Sequence, residues 1–231
     1  IAVAPCNAPA AAQAFRRANA AGIPVITFDS DLLDKDKPLR RTYIGTNNYE
    51  LGFKLGELLR EIKPAGGTIA VQSGGPAAAN LNERMRGLRD AIKEQNWKDV
   101  AGSPMYCNDD FPLAARQMGE ILSKYGKLDA FVAVGGWPQL APEAYKSVIR
   151  QHFDRFSTRD LAVVVSDTLD VQLKILEEGL SHGQVGQRPF EMGYRAIYAL
   201  KDLSEKKPVS DPIYTGLDVC TPQTAKTCTG R

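Results

Sequence analysis

The sequence predicts an α/β fold of largely parallel sheets covered by helices on both faces, and three observations predict it. Short apolar runs alternate with amphipathic stretches along the whole chain, the order expected when strands and helices take turns. Three runs, 68–71 (TIAV), 130–134 (AFVAV) and 161–166 (LAVVVS), are apolar almost throughout, as strands are when helices cover both faces of a sheet. The 20 Gly and 14 Pro are spread along the chain, which excludes a collagen-like or low-complexity protein.

In order, residues 1–4 (IAVA) read as a buried strand, 10–21 (AAAQAFRRANAA) as an amphipathic helix and 24–28 (PVITF) as a second strand. Helical periodicity then covers 48–62, 81–94, 112–125, 141–150, 171–178 and 191–203. Between these helices the strand candidates are 68–71, 102–106, 130–134, 161–166 and 183–186, and a last strand is expected over 213–219.

The 231 residues suffice for one large domain or two small ones with a sizeable core. Lys and Arg number 29 against 27 Asp and Glu, a formal balance of +2. A nucleic-acid partner is therefore not expected, because a chain that grips a phosphate backbone usually shows a basic stripe. The clusters 35–41 (KDKPLRR) and 201–207 (KDLSEKK) are broken by acids or lie beside Pro, and both are read as solvated faces. No apolar run approaches the roughly 18 residues needed to cross a bilayer, and the leading residues lack the layout of a signal peptide.

Cys6, Cys107, Cys220 and Cys228 form no CxxC, and His152 and His182 are far apart in sequence, so neither a zinc site nor any cofactor is expected. Cys220 and Cys228 either close a small disulfide in an oxidising compartment or stand as two independent thiols.

In open parallel sheets ligands bind outside the carboxyl ends of the strands. Those positions read Pro5-Cys6-Asn7, Asp29-Ser30-Asp31, Ser73-Gly74-Gly75-Pro76, Cys107-Asn108-Asp109-Asp110, Gly135-Gly136-Trp137-Pro138, Asp167-Thr168 and Gln187-Arg188-Pro189. There is no GxxxxGK[ST], no GxGxxG opening a helix, no GxSxG and no HExxH. Carboxylates, an amide, an arginine and a tryptophan without a nucleophile or phosphate cradle suit hydrogen bonding and stacking on a neutral polyhydroxylated molecule.

Residues 4–31 (APCNAPAAAQAFRRANAAGIPVITFDSD), 43–59 (YIGTNNYELGFKLGELL), 82–92 (NERMRGLRDAI), 163–168 (VVVSDT) and 183–197 (GQVGQRPFEMGYRAI) together resemble the periplasmic sugar-binding proteins of the ribose-binding type. These are the substrate-binding components of bacterial ABC importers. The resemblance covers essentially the whole chain and implies the type I periplasmic binding protein architecture: two flavodoxin-like lobes joined by three crossing strands, with sugar held between them. Carried over, the crossings fall near Thr46 and Asn47, Gln187 and Arg188, and Thr215 and Gly216. The N-terminal lobe is then 1–46 with 188–215, and the C-terminal lobe 47–187 with 216–231. The family begins with two further strand-helix units, at about 30 residues each, so the first lobe is expected to be incomplete and the chain a fragment or a processed form.

The same resemblance supplies site expectations. Asp29 matches a family aspartate that accepts from sugar hydroxyls, whereas Ser30 stands where the family often has arginine. Arg84, within Arg84-Met85-Arg86-Gly87-Leu88, matches a cleft arginine whose planar fork serves two oxygens, and Gly87 allows its helix to pack closely. Asp167 matches a ligand aspartate, and a carboxylate at the end of so apolar a strand is costly unless it faces a cleft or is hydrogen-bonded. Gln187 matches a crossing-strand amide that both donates and accepts. Trp137 departs from the family's usual Asn-Asp; it either stacks on a sugar face or packs in the core. Asn7, Asn108 and Asp109 sit at equivalent strand ends, and Cys6 and Cys107 are read as small packed residues.

The implied function is capture of a monosaccharide or polyol by hinge closure, in the periplasm, by a monomer that meets a membrane permease. A ligand-sensing domain of a lactose-repressor-type regulator is the alternative. An enzyme using the loop Ser73-Gly74-Gly75-Pro76 is not expected, because no lysine or Ser/Thr follows at the needed spacing.

Overall fold

The structure, a computed structural model, describes residues 1–229; the last two residues of the span 216–231 lie outside the described residues. In chain order the elements are β1 (Ala2–Val3), α1 (Ala8–Ala20), β2 (Ile26–Phe28), a 3-10 turn over Asp34–Leu39, β3 (Tyr43–Gly45), α2 (Asn48–Ile62), β4 (Gly67–Ser73) and α3 (Ala79–Ile92). They continue with β5 (Trp97–Asp99), β6 (Met105–Tyr106), α4 (Phe111–Lys124), β7 (Ala130–Ala133), a 3-10 turn over Trp137–Leu140, α5 (Pro142–Gln151) and α6 (Phe153–Ser157). Then come β8 (Ala162–Ser166), α7 (Asp170–Glu177), β9 (Gly183–Gly186), α8 (Pro189–Ser204), β10 (Ile213–Tyr214) and β11 (Asp218–Cys220).

Two sheets result. The first has the order β1-β2-β3-β10, parallel throughout. The second runs β11-β9-β8-β7-β4-β5, with β6 also on β4, and only β11 is antiparallel. The chain passes from the first sheet to the second at residues 46–47, returns at 187–188 and passes again at 215–217, between β10 and β11.

Side-chain alternation along the strands explains the layering. On β4, β7 and β8 the residues Ile69, Val71, Val132 and Val164 face Leu51, Leu55 and Leu88 of α2 and α3. Their neighbours Ala70, Phe131, Val163 and Val165 face Met118, Leu122, Tyr145 and Ile149 on the other side. The first sheet is thinner: Ile26 and Ile44 meet Ala196 and Ala199 of α8, and Phe15, Val25 and Leu32 fill the opposite face.

The structure departs from the sequence expectations in several places. The single strand expected over 213–219 is two strands in different sheets, broken where the chain crosses at Thr215 and Gly216. The strand expected over 102–106 shrinks to β6, because Gly102 takes φ 97° and Pro104 has no N–H to offer a ladder. β5 was not expected: its WKD is polar, which an edge strand tolerates. The cluster 35–41 is not wholly solvated: Arg40 is 8 % exposed, and it binds both carboxylate oxygens of Asp31, at 2.6 and 2.7 Å, and Asp211 at 2.6 Å. Cys220 and Cys228 form a disulfide; Cys107 is buried, whereas Cys6 is exposed and not packed as expected. Among the described residues no helix is long and apolar enough to cross a membrane.

Candidate functional site

The carboxyl ends of both sheets converge on a cavity of about 290 Å³. Asp29 follows β2 in a left-handed backbone conformation, φ 60°, which Asp tolerates better than most residues. Its N–H donates to Ile44 O at 3.0 Å, and its carbonyl lies 2.9 Å from the Tyr43 hydroxyl. Burial raises its carboxyl above the usual aspartate range; Arg84 opposes that shift and Asp167 adds to it.

Asp167 repeats this geometry in the second sheet. It follows β8 with φ 73°, its N–H donating to Val185 O at 2.7 Å. Its Oδ2 accepts from Gly136 N at 3.0 Å and its Oδ1 from Gln187 Nε2 at 2.7 Å. The carboxylate at the end of an apolar strand is therefore hydrogen-bonded on both oxygens, which offsets its desolvation.

Arg84 lies near both aspartates. It is 2 % exposed; Nε donates to Asn48 Oδ1 at 2.9 Å, and Nη1 to Val134 O at 2.9 Å and Ser166 Oγ at 3.2 Å. Nη1 also stands 3.9 Å from Asp167 Oδ1. Nη2 makes no hydrogen bond among the described residues, so the fork keeps donors in reserve.

Two glycines bring Arg84 here. A Cβ on Gly52 of α2 would collide with the Arg84 carbonyl, and one on Gly87 of α3 with the Tyr49 carbonyl. Only bare backbones let α2 and α3 approach so closely.

Gln187 sits on the second crossing and lines the cavity, tied to Thr46 Oγ1 at 2.9 Å. Trp137, 8 % exposed, belongs to the second sheet's core and also lines the cavity. Asp109, with φ 59°, lines it too. Gly74 makes room there, since a Cβ would lie 2.6 Å from Asp109 Oδ1 and 2.8 Å from the Trp137 ring.

Of the residues singled out by sequence, Asp29, Arg84, Asp109, Trp137, Asp167 and Gln187 share this cavity. Asn7 and Asn108 do not line it. Asn7 caps α1 by accepting from Ala10 N at 3.1 Å, and Asn108 is an exposed turn residue whose N–H donates to Gly74 O at 2.7 Å.

Sequence reasoning missed the apolar wall of Leu81, Phe111 and Leu140 and did not select Ser30 or Asn80. The Ser30 hydroxyl is buried without a partner in the protein. Only the helix-start positions of Leu81 and Phe111 hinted that they follow strand ends.

Neither histidine lines the cavity, and Cys107, whose thiol burial pushes up to about 11, lies outside it. Among the described residues no group of His, Cys, Asp or Glu is arranged to hold a metal ion. Three carboxylates, one guanidinium, two amides, a hydroxyl and an indole offer acceptors, donors and a ring face to one small polar molecule.

The profile of the family described as "Periplasmic binding protein domain" matches residues 1–208. Among solved structures, an ABC transporter solute-binding protein from Burkholderia graminis in complex with D-arabinose is similar, at 27 % identity and TM-score 0.87, over 99 % of this chain and 77 % of that one. A glucose-galactose binding protein from Geobacillus stearothermophilus is 26 % identical, with TM-score 0.84, over 96 % of this chain and 76 % of that one. An ABC transporter solute-binding protein from Bacillus halodurans with bound myo-inositol, 19 % identical over 98 % of this chain and 76 % of that one, shares the fold at TM-score 0.86. Among curated proteins none matches the sequence.

Proposed function

Because the chain belongs to the periplasmic binding protein family, we propose that it is the solute-binding component of an ABC importer and captures a neutral monosaccharide or polyol between its lobes. The observation that carries this reading is the buried Arg84 lying near two strand-end carboxylates, Asp29 from the first sheet and Asp167 from the second, around one cavity. Ionised carboxylates accept from adjacent sugar hydroxyls, the guanidinium donates to ring or hydroxyl oxygens, and Trp137 faces C–H groups.

The lobes are residues 1–46 with 188–215 and 47–187 with 216–231. They rotate about the crossings at 46–47, 187–188 and 215–217. Contacts made to both lobes only when closed shift the population toward the closed form. The sugar is bound and released unchanged to a membrane permease, by a monomer in the periplasm. The Cys220–Cys228 disulfide suits that oxidising compartment. The regulator alternative is not favoured, since the similar structures named above are described as sugar- or solute-binding proteins.

A thermal-shift screen over D-glucose, D-galactose, D-arabinose, D-allose and myo-inositol tests the reading, because a cleft ligand raises Tm by mass action. At least one sugar or polyol is expected to raise Tm. Asp167→Ala is expected to weaken its binding by about 10- to 100-fold through lost charge-assisted hydrogen bonds, and Arg84→Ala by at least as much. Unchanged Kd in both variants would refute the assignment of this cavity.

A further inference from the structure

Thr46 lies on the first crossing and Gln187 on the second. Their side chains meet across 141 residues of sequence, Thr46 Oγ1 donating to Gln187 Oε1 at 2.9 Å. Thr46 is 1 % exposed and does not line the cavity, so it touches nothing held there. Gln187 does line it, and its Nε2 donates to Asp167 Oδ1 at 2.7 Å.

An amide has two ends of nearly equal shape, one donor and one acceptor. The Asp167 carboxylate, which only accepts, draws the NH2 to its side; the oxygen then points toward the hinge, where the Thr46 hydroxyl donates to it and holds it there. The flipped amide would set Oε1 against the Asp167 carboxylate. Asp167 is held on its far side by Gly136 N at 3.0 Å, so the series Thr46, Gln187, Asp167, Gly136 runs without a break from one crossing segment to the second sheet.

The backbone of Thr46 is secured separately. Its carbonyl lies 2.9 Å from the Tyr43 hydroxyl and accepts from Asn48 Nδ2 at 3.2 Å. Removing the Thr46 hydroxyl therefore removes the link to Gln187 and leaves those bonds in place.

We propose that Thr46 is a positioning residue for the sugar site. Acting through Gln187, it anchors the oxygen end of the amide whose NH2 faces Asp167 and ties the geometry of the crossing segments to the position of that carboxylate. This role rests on the sugar-binding reading.

The test is isothermal calorimetry on the 231-residue chain and its variants, with whichever of D-glucose, D-galactose, D-arabinose, D-allose or myo-inositol raises the parent's Tm. Thr46→Val is expected to weaken binding by about 3- to 10-fold, the worth of one neutral hydrogen bond, while Thr46→Ser restores it. In a Gln187→Ala background Thr46→Val should add nothing further, the non-additivity of residues acting as one unit. Should Thr46→Val fail to fold, Thr46→Ala takes its place in the same cycle. Unchanged Kd in the Thr46 variants, an equal loss in the Gln187→Ala background, or a lowered Tm of the free protein with unaltered Kd would overturn the role. If none of the five compounds binds the parent, the sugar-binding reading fails and this role falls with it.

Discussion

In the second sheet β4 runs seven residues and β8 five, all of β8 buried, whereas no strand of the first sheet exceeds three residues. Long strands between two apolar layers give the second sheet the larger buried apolar area. The first sheet relies on polar clasps: Arg40 joins Asp31 to Asp211, and Tyr43 reaches the carbonyls of Asp29 and Thr46. Two carboxylates that face one cavity are thus mounted differently, Asp167 on a broad packed frame and Asp29 on a small frame closed by ion pairs.

The largest effect should come from the packed frame. Phe131 is fully buried in the second sheet's core, and Phe131→Ala is expected to cost about 3 to 5 kcal/mol in denaturant unfolding. Ile26→Val in the first sheet should cost only about 0.5 to 1.5 kcal/mol. A loss below about 1.5 kcal/mol for Phe131→Ala would contradict the packed frame.

Next comes the clasp. Arg40→Ala leaves Asp31, whose side chain is 15 % exposed, without its partner, while Asp211 at 44 % is reached by water. A loss of about 3 kcal/mol is expected, near the lower end for breaking a buried pair. Hydrogen exchange should accelerate in β2, β3 and β10 and stay unchanged in β7 and β8. A cost below about 0.5 kcal/mol would restore the solvated-face reading of that segment.

Acid should strike the second sheet. Burial pushes the His182 pKa down to about 4. Its Nδ1 accepts from Val163 N at 3.0 Å and its Nε2 is 3.1 Å from Phe156 O, which fits a neutral ring with the proton on Nε2. Because the folded pKa lies below the unfolded value near 6.5, this stability is present above pH 6.5 and is lost as pH falls from there through about 4. The effect is of order 2 to 3 kcal/mol. A His182→Gln variant should show a flatter stability curve over that window, and an unchanged slope would rule the histidine out.

The strand tips were legible because buried parallel strands announce themselves as short apolar runs, so the residues that follow them were singled out at once: Asp29, Asp109, Trp137, Asp167 and Gln187. Arg84 sits on a helix and was reached through its resemblance and through Gly87, which does let α3 press against α2. Asn7 shows the limit of such reading, since an Asn at a strand end serves as readily for a helix cap as for a ligand. The wall of Leu81, Phe111 and Leu140 depends on how the starts of α3 and α4 and the 3-10 turn over Trp137–Leu140 come together, which no local pattern encodes. The clasp on Arg40 was hidden for the same reason, as Asp211 lies 171 residues away in sequence. The break at 215–217 does not show in the strand pattern, which is apolar on either side of it, but the resemblance places a crossing near Thr215 and Gly216, where it is found.

The threading of the chain also bears on how the molecule is made. β3 and Arg40 leave the ribosome early, yet β10, which completes the edge of β3, and Asp211, which completes the clasp, are synthesised about 170 residues later. The second sheet, apart from β11, has all its strands before then. Translation therefore delivers a nascent chain in which the β3 edge of the first sheet stays open until six of the seven strands of the second sheet have been made.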